Sequence, residues 1–359
     1  MLYLERTRLM KTNIFNYTHP QLVDLLTSMG EKKFRATQLY SWIYEKGVLN
    51  FDDMTDISKK SIDLLKETFT FDLPKIHSRQ NSDDGTIKLL LELEDGALIE
   101  TVLMRYSYGN SVCVTSQVGC NMGCKFCASG LLKKKRDLTS GEILGQVYLV
   151  NQLLQKEDKT SRVSHVVIMG IGEPFDNYDH VMNFIRIINH PKAFAIGARH
   201  ITVSTCGIVP RIKQFAHEGI QVKLAISLHA PTEEKRKQLM PITMAYPLAE
   251  LMDACRYYEE VTNKRVTFEY ILLEGVNDSL DDAAALVHLV KDMLAFVNLI
   301  PYNSVEEHGF KRSSNNRQRA FFDYLMQNGV NTTMRKEFGS DIDAACGQLR
   351  AKKEYEKNR

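Results

Sequence analysis

The sequence lacks any uninterrupted apolar run of the roughly 18 residues that a transmembrane helix needs. Its first 15 residues carry Arg6, Arg8 and Lys11 without an apolar core segment, so we expect no secretory signal peptide. Internal repeats and low-complexity linkers are also missing. These absences predict a soluble, cytoplasmic protein.

The net charge is also small, because 46 Lys and Arg residues against 44 Asp and Glu residues leave only +2 at pH 7. A balance so close to neutral neither supports nor excludes a nucleic-acid partner. Apolar residues make up 44% of the chain and charged residues 25%, which excludes a disordered chain, a collagen-like fibre and a disulfide scaffold. The 359 residues suffice for two or three domains, or for one large α/β domain.

Hydrophobic patterns divide the chain into three parts. Apolar residues at helical spacing predict short helices over the first 70 residues, around Leu22, Leu39 and Leu65. A β-hairpin is predicted over 86–93 and 97–105. Strand-like runs then alternate with helical patterns, at 111–117, 163–169, 200–205, 222–228, 266–272 and 296–301. Six such strands predict a parallel sheet in an open or partial βα barrel, followed by a last helix (about 317–327) and strand (331–335).

Seven cysteines are present, and four of them fall within 15 residues. Cys120, Cys124 and Cys127 form a C-x3-C-x2-C motif just after the first predicted barrel strand. Three closely spaced thiolates can hold three irons of a 4Fe–4S cluster and leave the fourth iron open. The amino and carboxylate groups of S-adenosylmethionine (SAM) can supply the two donors that this iron needs. The alternative is a structural zinc site, which usually has four ligands in paired C-x2-C units.

The motif, with Phe126 before its last cysteine, resembles that of the radical SAM superfamily. The resemblance implies an α/β fold, a partial (β/α)6 barrel, with SAM as cofactor and one 4Fe–4S cluster held by the three cysteines. Gly172 and Glu173 resemble the glycine–glutamate motif that binds the amino group of SAM. Other candidate cofactor contacts stand at the carboxyl ends of predicted strands: Ser204, Ser227, Leu228, His229 and Asn303.

Further motifs narrow the resemblance to the RlmN-like enzymes, which methylate carbon 2 of adenine in RNA. The match covers nearly the whole chain, through the segments 100–104, 113–120, 170–174, 198–205, 227–230, 239–242, 275–278 and 341–350. It implies a helical RNA-binding accessory domain over 1–75, a β-hairpin extension over 76–110, a radical SAM barrel over 111–335 and a tail with a catalytic cysteine over 336–359. Cys206 departs from the family, where a serine is common. We predict that Cys206 and Cys255 are structural.

The resemblance also implies a mechanism. Carbon 2 of adenine is an electron-poor aromatic carbon, so direct displacement of a methyl group from the sulfonium cannot alkylate it. Instead, Cys346 takes a methyl group from one SAM, and a 5′-deoxyadenosyl radical from a second SAM removes a hydrogen atom from that methyl group. The resulting radical joins protein and RNA covalently. Glu100 is the implied proton acceptor. Cys113 is implied to release the product by forming a disulfide with Cys346, which a reductant then resets.

The implied substrates are adenine 2503 of 23S rRNA and, in some members, adenine 37 of tRNA. A reductant protein such as flavodoxin or ferredoxin is the other implied partner, and no membrane is involved. Candidate phosphate contacts are Lys32, Lys33, Arg35 and the basic run 133–136. Two alternatives stay open. One is the carbon-8 methyltransferase of the same rRNA adenine, which shares the cluster and both reactive cysteines. The other is a non-catalytic, zinc-stabilised RNA-binding protein.

Overall fold

The first part of the chain is helical, as predicted. The computed structural model describes residues 11–303, 305–339 and 341–342. The helices of this part are α1 (His19–Ser28), α2 (Phe34–Tyr40) and α3 (Lys59–Thr68), and a π-helical turn, Ser41–Glu45, continues α2. The short strands β1 (Thr12–Asn13) and β2 (Phe69–Thr70) pair in parallel and bring the two ends of this part together.

Side-chain caps determine where these helices begin. Thr18 starts α1 in a capping box with Gln21, and the Ser58 side chain caps α3. The predicted apolar positions are buried on the inner helix faces, including Leu22, Leu39 and Leu65. They belong to the same hydrophobic core as the barrel, so the helical part packs directly on the barrel.

An antiparallel extension follows, with strands β3 (Lys75–Asn81), β4 (Ile87–Glu92) and β5 (Leu98–Tyr106). The predicted hairpin corresponds to β4 and β5. The third strand, β3, was not predicted because its sequence is polar and mostly exposed, so it shows no apolar alternation. Backbone pairing with β4 holds it at the edge of the sheet.

The parallel part of the sheet contains all six predicted barrel strands. They are β6 (Gly109–Cys113), β9 (Val163–Ile168), β10 (Ile201–Thr205), β11 (Lys223–Ser227), β12 (Val266–Leu272) and β13 (Ala295–Pro301). A further parallel strand, β14 (Thr332–Met334), pairs with β13. The strand order is β14-β13-β12-β11-β10-β9-β6-β5-β4-β3, so the antiparallel extension continues the parallel sheet through β6. This is the predicted radical SAM type of α/β fold.

The first barrel strand differs from its predicted bounds of 111–117, because it ends at Cys113. Beyond Cys113 the backbone supports the loop that follows β9: the Ser116 and Gln117 N–H groups both donate to the carbonyl of Ile171. The chain then forms the short strand β7 (Gln117–Val118), which pairs with β8 (Arg136–Asp137). This pair closes the base of the loop that carries the cysteine motif.

Helices cover the outer face of the parallel strands. They are α4 (Ser140–Glu157), α5 (Tyr178–Asn189), α6 (Val209–Ala216), α7 (Glu233–Leu239), α8 (Leu248–Thr262), α9 (Leu280–Val290) and α10 (Asn315–Gln327). The predicted capping box at Thr139 and Glu142 starts α4. Within the described ranges, no helix combines the length and the apolar character needed to cross a bilayer.

Candidate active site

A cavity of about 350 Å³ opens at the carboxyl ends of the parallel strands. Most of the residues that the sequence singles out line this one cavity: Glu100, Cys113, Cys120, Cys124, Cys127, Gly172, Glu173, Ser204, Ser227, His229 and Asn303. Leu228 is fully buried beside it rather than part of its lining. Cys346 lies outside the described residues. Carboxyl ends of parallel strands are where such folds bind ligands, so the fold explains this convergence.

The cysteine loop, residues 119–135, begins with a tight turn at Gly119. Gly119 has φ +86°, and a Cβ there would stand 2.2 Å from the Lys133 carbonyl oxygen, so only glycine fits. The Cys120 N–H donates to the Leu132 carbonyl at 3.1 Å, and the Cys127 N–H donates to the Cys124 carbonyl at 3.2 Å. The loop therefore presents its cysteines to the cavity from a fixed backbone.

The three cysteines are half-buried and line the cavity together. Burial raises the pKa of Cys120 to about 12 and raises the pKa of Cys124 well above its ordinary value, and the neighbouring thiols add to both effects. Among the described residues, no three His, Cys, Asp or Glu side chains stand close enough to hold a single metal ion. Thiols that bind three separate irons stand farther apart, and cluster iron would supply the charge that favours thiolates. The donor set fits a 4Fe–4S cluster better than zinc.

The glycine–glutamate loop lies directly after β9. A Cβ on Gly170 would stand 2.6 Å from the Val114 carbonyl oxygen, and Gly172 has φ +107°. Both carboxylate oxygens of Glu173 accept backbone hydrogen bonds, one from Phe175 at 2.9 Å and one from Cys206 at 2.7 Å. Burial raises the pKa of Glu173, opposed by these hydrogen bonds. These contacts within the protein thus fix the conformation of the loop at the edge of the cavity.

Polar side chains from two neighbouring strands meet on the cavity wall. The Ser204 and Ser227 hydroxyl oxygens are 3.4 Å apart. His229 has a left-handed backbone, φ +58°, which is uncommon for this residue type and frequent at functional sites. Its Nδ1 accepts the Ile271 N–H at 3.1 Å, and burial lowers its pKa to about 3. The imidazole is therefore neutral and carries its proton on Nε2, which makes it a hydrogen-bond donor.

Arg236, which the sequence analysis did not identify, supports this wall from behind. It is 1% exposed, and its guanidinium donates to the backbone carbonyls of Leu228, Cys206 and Ser227 at 3.2, 2.6 and 3.3 Å. A fourth bond goes to the Thr243 hydroxyl at 2.8 Å. One buried cation thus fixes the ends of β10 and β11, where the candidate cofactor contacts stand. A charged residue on a short helix gives no sequence signal for such a role.

We expect Arg236→Met to lower the free energy of unfolding by about 3 kcal/mol or more, because several buried carbonyls lose a charged donor. SAM binding should weaken by at least about tenfold, since the ends of β10 and β11 are no longer held. Denaturant unfolding and calorimetric titration with SAM measure the two effects. Arg256→Met is the matched control, because Arg256 lies exposed on α8 and its loss should cost no more than about 0.5 kcal/mol. Equal stability and affinity in both variants would contradict this role.

Glu100 and Cys113 lie on the opposite wall, on β5 and β6. Glu100 is 3% exposed and forms an ion pair with Lys88 on β4, at 2.9 Å between Nζ and Oε2. Burial raises the pKa of the Cys113 thiol, and the positive charges of Arg335 and Lys88 oppose this rise. The sequence did not single out Lys88. The sequence does contain a signal for Lys88, because it is the one charged residue in the apolar run 87–91. Such a lysine is expected to be buried when the strand turns its side chain toward the interior.

The cavity has a further polar group that the sequence analysis did not identify. Glu269 on β12 is buried, and its carboxylate accepts a hydrogen bond from the Asn298 amide at 2.8 Å. Burial raises the pKa of Glu269, while the positive charge of Arg335 acts against it. Arg335 follows β14 and lines the cavity as well. These groups extend the polar lining beyond Ser204 and Ser227, toward Cys113.

The segment after β14 passes along the cavity and is then anchored to the turn between β3 and β4. The Gly339 N–H donates to Asp84 at 2.9 Å, and the Asp341 carboxylate accepts from the Ser82 hydroxyl and, at 3.1 Å, from the Asp83 N–H. Cys346 follows only five residues later in the sequence. All described cysteines are free thiols, and the predicted disulfide between Cys113 and Cys346 involves a residue outside the described ranges.

Two other cysteines are buried, and their structural role stays a prediction. Cys255 packs in the core on α8. Cys206 also lines the cavity. Its backbone N–H donates to Glu173, and its carbonyl accepts from Arg236.

Several candidate phosphate contacts have internal partners instead. Arg35 is buried against Glu31 and Ser61. Lys134 pairs with Asp137 and Asp176, and Arg136 pairs with Asp95 and Glu142. Arg35 is too buried to contact a phosphate, so that prediction is wrong. Lys32, Lys33, Lys133 and Lys135 are exposed and stay candidates.

Comparisons with known proteins agree over almost the whole chain. Residues 12–70 match the family model of the ribosomal RNA large subunit methyltransferase N-terminal domain, and residues 114–287 match that of the radical SAM superfamily. A probable dual-specificity RNA methyltransferase RlmN from Spiroplasma citri is 57% identical over 96% of this chain and 98% of its own length. A protein of the same name from Streptococcus suis is 54% identical over 98% of this chain and 96% of its own length.

A solved structure agrees as well. The crystal structure of a radical SAM methyltransferase from Sphaerobacter thermophilus is similar, with a TM-score of 0.87 and 40% sequence identity. The similarity covers 94% of this chain and 98% of that one.

Proposed function

The chain belongs to the RlmN family of radical SAM RNA methyltransferases, and from this premise we propose that it methylates carbon 2 of adenine. The proposed substrates are adenine 2503 of 23S rRNA and adenine 37 of tRNA. Membership in a family of enzymes excludes the alternative of a non-catalytic, zinc-stabilised RNA-binding protein.

One observation carries the proposal. A carboxylate and a thiol, Glu100 and Cys113, line the same cavity as the three cysteines of the cluster motif. A radical SAM enzyme that only cleaves its cofactor needs neither group near the cluster. An enzyme that forms and then resolves a covalent adduct with an aromatic base needs both, one to take a proton and one to break a carbon–sulfur bond.

Cys120, Cys124 and Cys127 would hold the 4Fe–4S cluster, and the polar groups of the same cavity would bind SAM. With SAM bound, the cluster supplies the carbon radical that adenine methylation requires. Ser204, Ser227, Asn303 and the neutral His229 offer hydroxyl, amide and N–H groups for the polar parts of SAM. Gly172 and Glu173 would orient its amino group, and Leu228 would pack beside it. The proposed stoichiometry is two SAM molecules per turnover.

The chain's own residues then carry the methyl group to RNA. Cys346 accepts a methyl group on its sulfur, and after loss of one hydrogen atom that carbon bonds to carbon 2 of adenine. Glu100 takes the proton from carbon 2, and one electron passes from the adduct to the oxidised form of a redox protein such as flavodoxin or ferredoxin. The Cys113 thiolate attacks the sulfur of Cys346. A disulfide forms, and the bond between that sulfur and the transferred carbon breaks. The carbon keeps the electron pair and gains a proton to become a methyl group. An external reductant then reduces the disulfide.

The cavity also limits how RNA is presented. A base inside a helical stack does not expose carbon 2 to a buried carboxylate, so the target adenine has to be unstacked and inserted. Exposed lysines such as Lys32, Lys33 and Lys133 are candidates to hold the flanking phosphates. The helical part that matches the rRNA methyltransferase N-terminal domain is the proposed accessory RNA-binding domain.

Mass spectrometry of nucleosides tests the proposal. The reconstituted protein is incubated anaerobically with SAM, a reductant and 23S rRNA that lacks the modification, and separately with unmodified tRNA. We expect 2-methyladenosine in both RNAs. Formation of 8-methyladenosine would instead assign the carbon-8 activity. Cleavage of SAM without any methylated adenosine would overturn the substrate assignment.

A further inference from the structure

The Lys88–Glu100 ion pair is unusual because both side chains are buried inside a sheet. The Lys88 side chain is 0% exposed, and its ammonium is 2.9 Å from Oε2 of Glu100. Burying an ion pair costs desolvation, and apolar residues of similar size would often be as stable or more stable at such a place. Stability alone therefore does not account for a lysine here.

The strand register shows what this lysine serves. Lys88 pairs with Val102 on β5, and Val102 pairs with Cys113 on β6, so Lys88 and Cys113 belong to one row on the same face of the sheet. Glu100 precedes Val102 by two residues and therefore points to that face too. The ammonium group of Lys88 therefore lies on the same face of the sheet as both the candidate proton acceptor and the candidate resolving thiol.

The backbone of Glu100 is held as well. The Thr115 hydroxyl donates to the Glu100 carbonyl at 2.6 Å, and the Gln146 side chain binds both the N–H and the carbonyl of Thr115. Glu100 and Cys113 line the cavity, whereas Lys88 does not. Lys88 therefore acts on a substrate only through these neighbours.

We propose that Lys88 is a positioning residue for the methyl transfer, whose ion pair holds the Glu100 carboxylate in the orientation that takes the proton from carbon 2 of adenine. This inference rests on the proposed function. In the step concerned, the C2–H bond breaks, its electron pair stays in the ring and the proton bonds to a carboxylate oxygen of Glu100. The same ammonium then favours the thiolate of Cys113 for the next step.

Lys88→Met tests the proposal, because it separates late steps from early ones. SAM cleavage and methylation of Cys346 do not use Glu100, so we expect both within about threefold of the wild-type rates. Formation of 2-methyladenosine should fall by about 100-fold, the usual scale for losing a positioned base. With RNA that carries deuterium at carbon 2 of the target adenine, the variant should show a larger isotope effect than the wild type, because proton removal becomes rate-limiting.

Wild-type rates of SAM cleavage and of Cys346 methylation show that the variant is folded. Two further variants complete the design. Lys88→Gln keeps a hydrogen-bond donor without the charge, and we expect the same loss, because a neutral amide cannot form the ion pair with Glu100. Lys75→Met removes an exposed lysine from β3 and should leave every step unchanged. Wild-type formation of 2-methyladenosine by both Lys88 variants would overturn the inference, as would equal slowing of all steps with an unchanged isotope effect. Absence of 2-methyladenosine from the wild-type reaction would overturn the proposed function instead.

Discussion

Cys346→Ala is expected to abolish methyl transfer to RNA and to leave iron content and SAM binding unchanged. The physical reason is that alanine has no sulfur to carry the methyl group, whereas the cluster cysteines and the polar wall lie elsewhere in the chain. Methylation of adenosine should fall below detection. Mass spectrometry of the RNA nucleosides, iron analysis and calorimetric titration with SAM provide the three measurements.

Cys255→Ala is the matched control for this variant. It also removes one thiol, but from the core of α8 and away from the cavity, so methyl transfer should persist. Any turnover by Cys346→Ala would show that the methyl group reaches RNA without this sulfur.

Cys113→Ala is expected to stop the reaction one stage later, with protein and RNA covalently joined. Without the resolving thiol, the carbon–sulfur bond between Cys346 and the base has no nucleophile to break it. We expect product below one equivalent per enzyme and a protein band of reduced mobility on a denaturing gel. The band should resist reductant, because a thioether is not a disulfide, and it should disappear after ribonuclease treatment.

A second cysteine of the cavity serves as the control here. Cys206→Ala removes a thiol that also lines the cavity but is predicted to be structural, so no adduct should accumulate. Multiple turnovers by Cys113→Ala, or the absence of an adduct under single-turnover conditions, would remove the resolving role from Cys113.

Features that depend on short stretches of sequence were predictable. The capping box at Thr139 and the alternation of strands with helices are local patterns, and the structure confirms both. The convergence of the cysteine loop and Glu173 on one cavity followed from a general property of parallel sheets, whose strand ends meet at one edge. The polar strand β3 gave no such pattern, and it was missed.

Features that depend on register or on distant packing were not predictable. Lys88 contacts Glu100 because two strands pair with a particular offset, and a shift of one residue would turn its side chain to the other face. In the sequence, Arg236 has the pattern of a solvated helix residue. Only the fold shows that the carbonyls of two strand ends surround it. The sequence predicts a phosphate contact for the buried Arg35 because a basic side chain in sequence carries no information about burial.

The anchor of the last described segment on the β3–β4 turn has a kinetic consequence. Asp341 is held by Ser82 and Asp83, and five further residues can extend by at most roughly 18 Å. The length of the intervening chain therefore sets an upper limit on the distance between the α-carbons of Asp341 and Cys346. A thiol joined to the cavity by the same chain does not have to diffuse through solution to meet Cys113. In the proposed mechanism, the reaction of Cys346 with Cys113 is therefore an intramolecular step, whose rate does not change when the enzyme is diluted.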